Sequence, residues 1–370
     1  MCSSDLFGLN RNADFNGPTQ EGVGLYQVTQ KNGLRHSSAA AFLAPVRGRN
    51  NLTVLTQTLT ERVLIERNRA VGVQVRTRGA SPKRIEAGRV VLSGGTINSP
   101  QLLLLSGIGP ADHLRDIGIP VVRDLPAVGE NLQDHLDICT LNAATQPVTY
   151  DHVNVVLAGL QFWLTRQGVG TSNAAEGGGF MRSRYATDER CDLQFHFVPA
   201  LLDDHGRGRL PGHGYTLHAC VLHPRSRGCI RLRSADPAAH PLIQPNYLSD
   251  ADGFDLQRMC EAARVSREIL AQPAFDPWRG AEIFPGTLAS PGGDFAEFIH
   301  SKAETVYHPV GTCRMGADEA SVVDPQLRVR GIEGLHVVDA AIMPEVPTGN
   351  TNAPTLMIAE RASAWLLADN

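Results

Sequence analysis

Residues 95–109 of the chain read GTINSPQLLLLSGIG, and this stretch gives the clearest local indication of the fold. A short apolar run at 89–92, RVVL, leads into a glycine turn at 93–95, and 98–105 has a helix-start pattern followed by apolar residues. This order predicts a strand, a glycine turn and a helix. Glycines let a backbone approach a ligand closely, and the first N–H groups of a helix attract polar or anionic groups. A tight turn without any bound ligand explains the same residues, so a ligand-binding turn and a purely structural turn both stay open here.

On either side, the pattern changes along the chain. The runs at 52–56 (LTVLT), 62–66 (RVLIE) and 71–77 (VGVQVRT) are short and rich in β-branched residues, which predicts a small meander of strands. From about residue 141 to 301 strand-like runs such as 193–198 (LQFHFV) alternate with helical patterns. We therefore predict a second domain in this region.

Composition excludes several classes of protein. The 370 residues are 42% hydrophobic and 19% charged, which suits a soluble chain with sizeable cores and excludes disorder. With 34 basic and 38 acidic residues the net charge is −4, so nucleic acid is not an expected partner. Seven cysteines without a C-x-x-C pair predict reduced thiols. No apolar run is long enough for a membrane span, and we expect a cytoplasmic chain or one peripheral to the inner membrane.

Several motifs, taken in order, carry a family resemblance. Together with residues 95–109 they resemble the glucose-methanol-choline (GMC) oxidoreductases, flavoenzymes that oxidise alcohols, in the branch of choline dehydrogenase-like and alcohol dehydrogenases. The resemblance covers nearly all of the chain from about residue 15 to 367. The motifs are 128–135 (VGENLQDH), 224–248, 307–316 (YHPVGTCRMG), 336–344 (HVVDAAIMP) and 348–361 (TGNTNAPTLMIAER).

The resemblance implies a fold class, α/β with α+β. It implies an incomplete FAD-binding Rossmann-like domain and a substrate domain built on an antiparallel sheet. We expect residues 1–140 to be the C-terminal portion of the FAD-binding domain, 141–304 the substrate domain, and 305–370 a return to the FAD domain with the catalytic residues. The C-terminal family region would run over about 224–362.

The resemblance also implies a reaction, the FAD-dependent oxidation of a primary alcohol to an aldehyde. His308 in YHPVGT matches the active-site histidine of the family, and a histidine suits removal of a hydroxyl proton because its pKa lies near neutrality. Asn352 matches the second catalytic position, where its amide would hydrogen-bond the substrate oxygen. Asn352 is also placed to cap a helix predicted from Pro354, and Asn350 is the fallback candidate.

For the cofactor, FAD, the resemblance points to three places in the chain. Val63 would lie beside the adenine. Asp339 and Ala340 would lie near the pyrophosphate and ribityl chain, although a strand-end aspartate is also an ordinary turn former. The segment 350–355 would lie under the isoalloxazine, where a helix start stabilises negative charge. Its candidate cofactor-binding residues are Asn350, Thr351, Asn352 and Thr355.

One part of the family pattern is missing. No strand, G-x-G-x-x-G turn and helix that would hold the ADP half of FAD occurs in the chain. The first six residues, MCSSDL, also read like the translation of a sequencing-library adapter. We therefore expect an N-terminally truncated fragment that binds FAD poorly and is inactive by itself. The alternative of another class is a non-catalytic remnant.

Substrate and metal are the remaining expectations. A quaternary ammonium needs an aromatic cage, and only 6% of the chain is aromatic, so we favour an uncharged primary alcohol, with choline dehydrogenase as the alternative. Electrons would pass to a quinone or another acceptor. We expect no metal, because five histidines gather without a short ligand pair backed by cysteine: His196, His205, His213, His218 and His223.

Overall fold

The structure is a computed structural model that describes residues 7–208, 210–289 and 293–368. The six residues attributed above to an adapter, Met1 to Leu6, lie outside the described residues. The strands are β1 (Gly22–Leu25), β2 (Gln30–Lys31), β3 (Leu34–Arg35), β4 (Thr58–Glu66), β5 (Arg69–Thr77), β6 (Lys83–Glu86), β7 (Val90–Leu92), β8 (Ile108–Gly109), β9 (Arg123–Asp124), β10 (Leu136–Ala144), β11 (Gly177–Met181), β12 (Leu193–Val198), β13 (Gly214–Val221), β14 (Cys229–Arg231), β15 (Leu242–Gln244), β16 (Arg279–Phe284), β17 (Glu304–Thr305) and β18 (Leu335–Val337).

The α-helices vary from six to seventeen residues in length. They are α1 (Gly95–Leu105), α2 (Ala111–Asp116), α3 (Val155–Thr165), α4 (Phe254–Leu270), α5 (Ala296–Lys302) and α6 (Asn352–Ala368).

The first of two compact units, here called the sheet unit, comprises residues 7–54, 136–222 and 254–306. In its described part the strands form an antiparallel seven-stranded sheet in the order β1-β11-β12-β13-β10-β16, with β17 also paired to β10. Because side chains alternate along a strand, Phe195 and Leu217 lie on one face and the cross-strand pair His196 and His218 on the other. The two histidines therefore share one face of the sheet.

The second unit, here called the mixed unit, comprises residues 55–135, 223–253 and 307–368. It contains the antiparallel meander β4-β5-β6 and the parallel pairs β7-β18 and β8-β9. Helix α1 runs through its core, where Leu103 and Leu104 are fully buried. The predicted strand, glycine turn and helix are thus β7, residues 93–94 and α1.

Local chemistry explains why α1 forms where it does. Gly95, its first residue, has a φ of 79°, a left-handed conformation that glycine adopts without strain. Pro100 lies inside the helix and has no N–H for the carbonyl of Thr96. That carbonyl instead accepts a hydrogen bond from the Thr312 hydroxyl at 2.6 Å. The hydroxyl therefore satisfies the backbone acceptor that the proline leaves without its helical partner.

Two local predictions were wrong. Residues 52–56 form no strand, and Val54 and Leu55 are about half exposed, so their apolar side chains have no packed face to join. Helix α6 begins at Asn352 rather than at Pro354, which makes Asn352 the first helical residue and not the residue before the helix.

The unit boundaries also differ from the three segments 1–140, 141–304 and 305–370. Residues 7–54 belong to the sheet unit because β1 pairs with β11. Residues 223–253 belong to the mixed unit, where the Gly228 carbonyl accepts a hydrogen bond from the Leu132 N–H at 2.9 Å. Strand pairing across long sequence separations sets these boundaries.

Candidate functional site

His308 lies in an extended segment of the mixed unit that pairs with the end of the VGENLQDH motif. Gln133 and Val310 exchange backbone hydrogen bonds of 3.1 and 2.9 Å, which fixes the register of the two segments. The His308 N–H donates to Asp134 Oδ1 at 2.8 Å, and Asp134 Oδ2 accepts from the Tyr247 hydroxyl at 2.5 Å. The backbone of His308 is therefore held by a carboxylate that is itself oriented.

The two ring nitrogens of His308 contact two different side chains. Nδ1 lies 3.0 Å from Nδ1 of His135, and the two rings are perpendicular. Nε2 lies 3.0 Å from Nδ2 of Asn350. An amide N–H donating to Nε2 leaves that nitrogen without a proton, so Nδ1–H of His308 donates to His135. In this arrangement Nε2 has the lone pair that a general base needs.

His308 and His135 are both buried, with 7% and 0% of their surfaces exposed, whereas Asn350 is exposed. A second side chain, that of Gln133, ties the Asn350 loop to the same segment. Its Nε2 donates to the Pro344 carbonyl at 3.0 Å, and its Oε1 accepts from the Val346 N–H at 3.3 Å. Gln133 thus holds the loop that carries Asn350.

The asparagine predicted as the second catalytic residue, Asn352, is exposed at the start of α6. The side chain that reaches His308 Nε2 is that of Asn350, the fallback candidate. Thr351 precedes the helix, and its carbonyl accepts from both the N–H and the hydroxyl of Thr355, at 3.1 and 2.7 Å. The loop therefore brings both asparagines to the N-terminal end of α6.

Asp339 serves as a clamp at the first turn of α1. Its Oδ2 accepts from the Ser99 hydroxyl at 2.5 Å and from the Gly95 N–H at 2.9 Å, and its Oδ1 accepts from the Ala341 N–H at 2.8 Å. Burial raises the pKa of this carboxyl, while the three donors work to lower it. Its neighbour Ala340 is half-buried. The carboxylate is thus engaged within the fold.

Val63 lies at the other end of α1. Its N–H donates to the Ser106 hydroxyl at 2.8 Å, and its side chain is only 3% exposed. The eleven residues of α1 make the helix about 16 Å long at 1.5 Å per residue. Val63 and Asp339 therefore mark two ends of one helix, about 16 Å apart.

The five histidines considered for a metal do not come together as a group. His196 stacks on Tyr26, and the other four contact separate polar side chains. Those contacts pair His205 with Glu304, His213 with His152, His218 with Asp137, and His223 with Thr348.

Sequence reasoning missed three residues of the site: Asp134, His135 and Tyr247. The first two end the VGENLQDH motif, which was singled out as a family segment but not for its side chains. The available signal for Asp134 and His135 was that a carboxylate and a histidine, two residue types common in catalytic sites, end this motif. Tyr247 lies in the family segment 224–248, but its side chain was not singled out, because its contact with Asp134 depends on the path of residues 223–253.

Among the described residues no disulfide links the cysteines. Within the same residues, no helix has the length and apolar character required to cross a bilayer.

Comparisons with known proteins cover nearly the whole chain. Two regions, residues 3–137 and 224–359, match family models described as GMC oxidoreductase. The alcohol dehydrogenase (acceptor) of Pseudomonas putida is 50% identical over 362 residues, which is 96% of this chain and 65% of that protein. The mitochondrial choline dehydrogenase of Homo sapiens is 46% identical over 356 residues, 95% of this chain and 59% of that protein. The chain thus spans less than two thirds of these relatives.

Solved structures agree on the fold. A pyridoxine 4-oxidase from Mesorbium loti is 32% identical with a TM-score of 0.85, covering 98% of this chain and 68% of that one. A formate oxidase of Aspergillus oryzae RIB40, studied for its FAD modification, has a TM-score of 0.92 at 23% identity and covers 100% of this chain and 69% of that one. The predicted fold class, α/β with α+β and an antiparallel sheet, is confirmed.

Proposed function

The chain belongs to the glucose-methanol-choline (GMC) oxidoreductase family, and we propose that it carries the proton-transfer machinery of an FAD-dependent enzyme that oxidises a primary alcohol to an aldehyde. His308 is the general base. The observation that carries the proposal is the environment of its ring, with one nitrogen against His135 and the other against Asn350.

Proton removal uses both nitrogens of His308. The alcohol hydroxyl places its proton on Nε2, and the imidazole becomes a cation. The Nδ1–H bond to His135 then changes from a neutral to a charge-assisted hydrogen bond, whose net value rises from about 1 to about 1.5–3 kcal/mol. His135 therefore stabilises the protonated base more than the resting one. Asp134 keeps the ring in place through the His308 N–H.

The two asparagines have separate roles in this proposal. Asn350 occupies Nε2 of His308 in the resting site, which keeps that nitrogen unprotonated until the alcohol takes its place. Asn352 lies two residues on, at the positive end of α6, and matches the family position for the second catalytic residue. Its amide N–H donates to the alkoxide oxygen that develops as the proton leaves.

The residues present fit a flavin dinucleotide. Asn350, Asn352 and Ala353 are exposed at the start of α6, and the first turn of this helix has no acidic residue. No carboxylate of that turn therefore neutralises the positive end of the helix dipole, which remains able to attract the flavin. When bound, FAD supplies the acceptor for the hydride from the carbinol carbon. Thr351 and Thr355 would flank the flavin ring at this end.

The other two flavin contacts lie at the ends of α1. A separation of about 16 Å between Val63 and Asp339 suits an extended ligand with its adenine at the Val63 end. Because the Asp339 carboxylate is engaged by Ser99, Gly95 and Ala341, Asp339 and Ala340 would contact the pyrophosphate region through backbone atoms.

We propose an uncharged primary alcohol as substrate and a quinone or another small molecule as electron acceptor. The relative named alcohol dehydrogenase (acceptor) at 50% identity supports an alcohol as substrate and a separate electron acceptor. Choline is the alternative substrate, supported by the choline dehydrogenase at 46% identity. The low aromatic content of 6% favours the uncharged alcohol, because a quaternary ammonium is bound by aromatic faces.

Flavin binding can be tested first on the chain alone. The sequence has no G-x-G-x-x-G turn, so we expect the 370-residue chain to retain FAD at well below one molecule per chain after gel filtration. Stoichiometric flavin absorbance in the purified chain would contradict this. Joining the chain to the part of the P. putida relative that it does not align with should restore stoichiometric FAD; we call this fusion the assembled enzyme.

Substrate class is tested in the assembled enzyme with a quinone analogue as acceptor. We expect turnover of aliphatic and aromatic primary alcohols, and a kcat/KM for choline at least about 10-fold lower, equivalent to about 1.4 kcal/mol. Turnover of choline alone would establish the alternative substrate. Stoichiometric FAD without any turnover would favour the non-catalytic remnant.

A further inference from the structure

In the sheet unit, we propose a binding site for a divalent metal ion of the zinc class, with Asp137, Cys139 and His218 as its ligands. All three residues belong to one face of the antiparallel sheet. Asp137 and Cys139 are two residues apart on β10, so their side chains point to the same side. His218 on β13 is the direct cross-strand partner of Cys139. The strand register therefore brings a carboxylate, a thiol and an imidazole to one place.

The three ligand atoms converge closely. His218 Nδ1 lies 2.6 Å from Asp137 Oδ2 and 3.2 Å from Cys139 Sγ, and the sulfur lies 3.7 Å from the same carboxylate oxygen. In a tetrahedral zinc site, bonds of about 2.0–2.3 Å place ligand atoms about 3.3–3.5 Å apart. The two sulfur distances, 3.2 and 3.7 Å, lie within about 0.2 Å of that spacing. An opening of about 0.7 Å between Nδ1 and Oδ2 would complete it.

Hydrogen bonding within this cluster leaves one carboxylate oxygen without a partner. Nδ1 of His218 has one in-plane position; when it donates to Asp137 Oδ2, the Cys139 thiol has the same oxygen as its acceptor at 3.7 Å. Asp137 is 1% exposed, and its Oδ1 is buried without a hydrogen-bond partner among the described residues. A buried carboxylate oxygen without a partner costs free energy. A metal ion held by Oδ2, the sulfur and the nitrogen would also place a positive charge on the carboxylate that carries this oxygen.

The charges of the cluster suit a divalent cation. The thiol of Cys139 is buried, with 8% of the residue exposed. Binding breaks the S–H bond, forms a metal–sulfur bond and releases one proton to the solvent. The thiolate and the Asp137 carboxylate then balance the two positive charges of the ion. Glu304, the cross-strand partner of Asp137, adds a second carboxylate beside the site.

No sequence motif indicated this site, and the sequence analysis predicts that no metal is bound. Cys139 and His218 are 79 residues apart, and no short-range motif joins them. All three ligands belong to the sheet unit, whereas His308 and its partners belong to the mixed unit. A test of the metal site is therefore independent of a test of the proposed reaction.

The first test uses the unaltered 370-residue chain, freed of metal with a chelator and titrated with Co²⁺ as a spectroscopic probe. We expect one Co²⁺ per chain, a sulfur-to-cobalt charge-transfer band in the near ultraviolet, and displacement of Co²⁺ by one equivalent of Zn²⁺. Release of about one proton per metal ion should accompany binding in weakly buffered solution. Absence of the charge-transfer band in the unaltered chain would overturn the proposal without the use of any variant.

Substitutions then locate the site. Cys139→Ser should abolish the charge-transfer band, and His218→Asn or Asp137→Asn should weaken zinc affinity at least about 10-fold. Cys260→Ser, at a half-buried cysteine on α4 outside the cluster, is the matched control and should leave both unchanged. Circular dichroism confirms that each variant is folded. A band that survives in folded Cys139→Ser, or disappears in Cys260→Ser, would place the metal elsewhere and overturn the assignment.

Discussion

The clamp between Asp339 and Ser99 gives a prediction that can be measured on the chain alone. Asp339 accepts hydrogen bonds from Ser99 Oγ, Gly95 N and Ala341 N, and both Ser99 and Asp339 are buried. The perturbation is a double-mutant cycle of Asp339→Ala, Ser99→Ala and the combined variant. If the clamp holds the first turn of α1, the loss of unfolding free energy in the combined variant will differ from the sum of the losses in the two single variants.

The magnitudes follow from the contacts. Asp339→Ala removes three hydrogen bonds and leaves the Gly95 and Ala341 N–H groups without that acceptor, at about 1–3 kcal/mol each. We therefore expect Asp339→Ala to lower the free energy of unfolding by about 3–6 kcal/mol. Ser99→Ala should cost about 1–2 kcal/mol. The coupling between them should be about 1–3 kcal/mol.

The assay is denaturant unfolding followed by the fluorescence of Trp365, which packs against the core of the mixed unit. Substituting Phe for the exposed Trp163 and Trp278 leaves Trp365 as the single reporter. A coupling below about 0.5 kcal/mol would be within ordinary additivity and would refute the clamp. In that case the Asp339 carboxylate would be available to contact the cofactor directly.

Three further predictions concern the site and the pH dependence of stability. In the assembled enzyme, His135→Asn should lower kcat at least about 10-fold with KM little changed, because protonated His308 loses a charge-assisted hydrogen bond; an unchanged kcat would exclude that role. Asn352→Ala should lower kcat about 100-fold and more than Asn350→Ala does, as expected for loss of a donor to the alkoxide, and the reverse order would exchange their roles. A hydrogen bond from an arginine side chain holds the pKa of Glu261 in the folded protein below its ordinary 4.5. The ionised carboxylate therefore stabilises the fold above pH 4.5, and this stabilisation is lost as the pH falls through the pKa of the folded state. The difference in Tm between the unaltered chain and Glu261→Gln should therefore shrink on acidification, and a constant difference would contradict the assignment.

Local sequence patterns predicted the elements that depend on neighbouring residues. The strand, glycine turn and helix around residues 93–105 were predicted because glycine and apolar spacing act within one or two turns. The run at 52–56 has the composition of a strand, but Val54 and Leu55 are about half exposed and the run forms no strand. Propensity alone could not distinguish the two cases, since packing decides them.

The site was predicted only in part, for a related reason. His308 was found from its motif, and the loop with both asparagines from another. The contact with His135 joins residues 173 positions apart and depends on the register between Gln133 and Val310. The same holds for the Asp137, Cys139 and His218 cluster, whose ligands meet only through the pairing of β10 and β13. Side-chain partners set by long-range register carry no local signal.

The central claim, that His308 is the base for alcohol oxidation, is tested most directly by anaerobic mixing of the assembled enzyme with a primary alcohol. The loss of flavin absorbance in a single turnover measures the chemical step without the acceptor. We expect His308→Gln to slow this step about 10²–10⁴-fold, the usual contribution of a general base. His336→Gln, at a histidine of the same unit with the same 7% exposure, should leave the step unchanged. Flavin bleaching at an undiminished rate in His308→Gln would contradict the account.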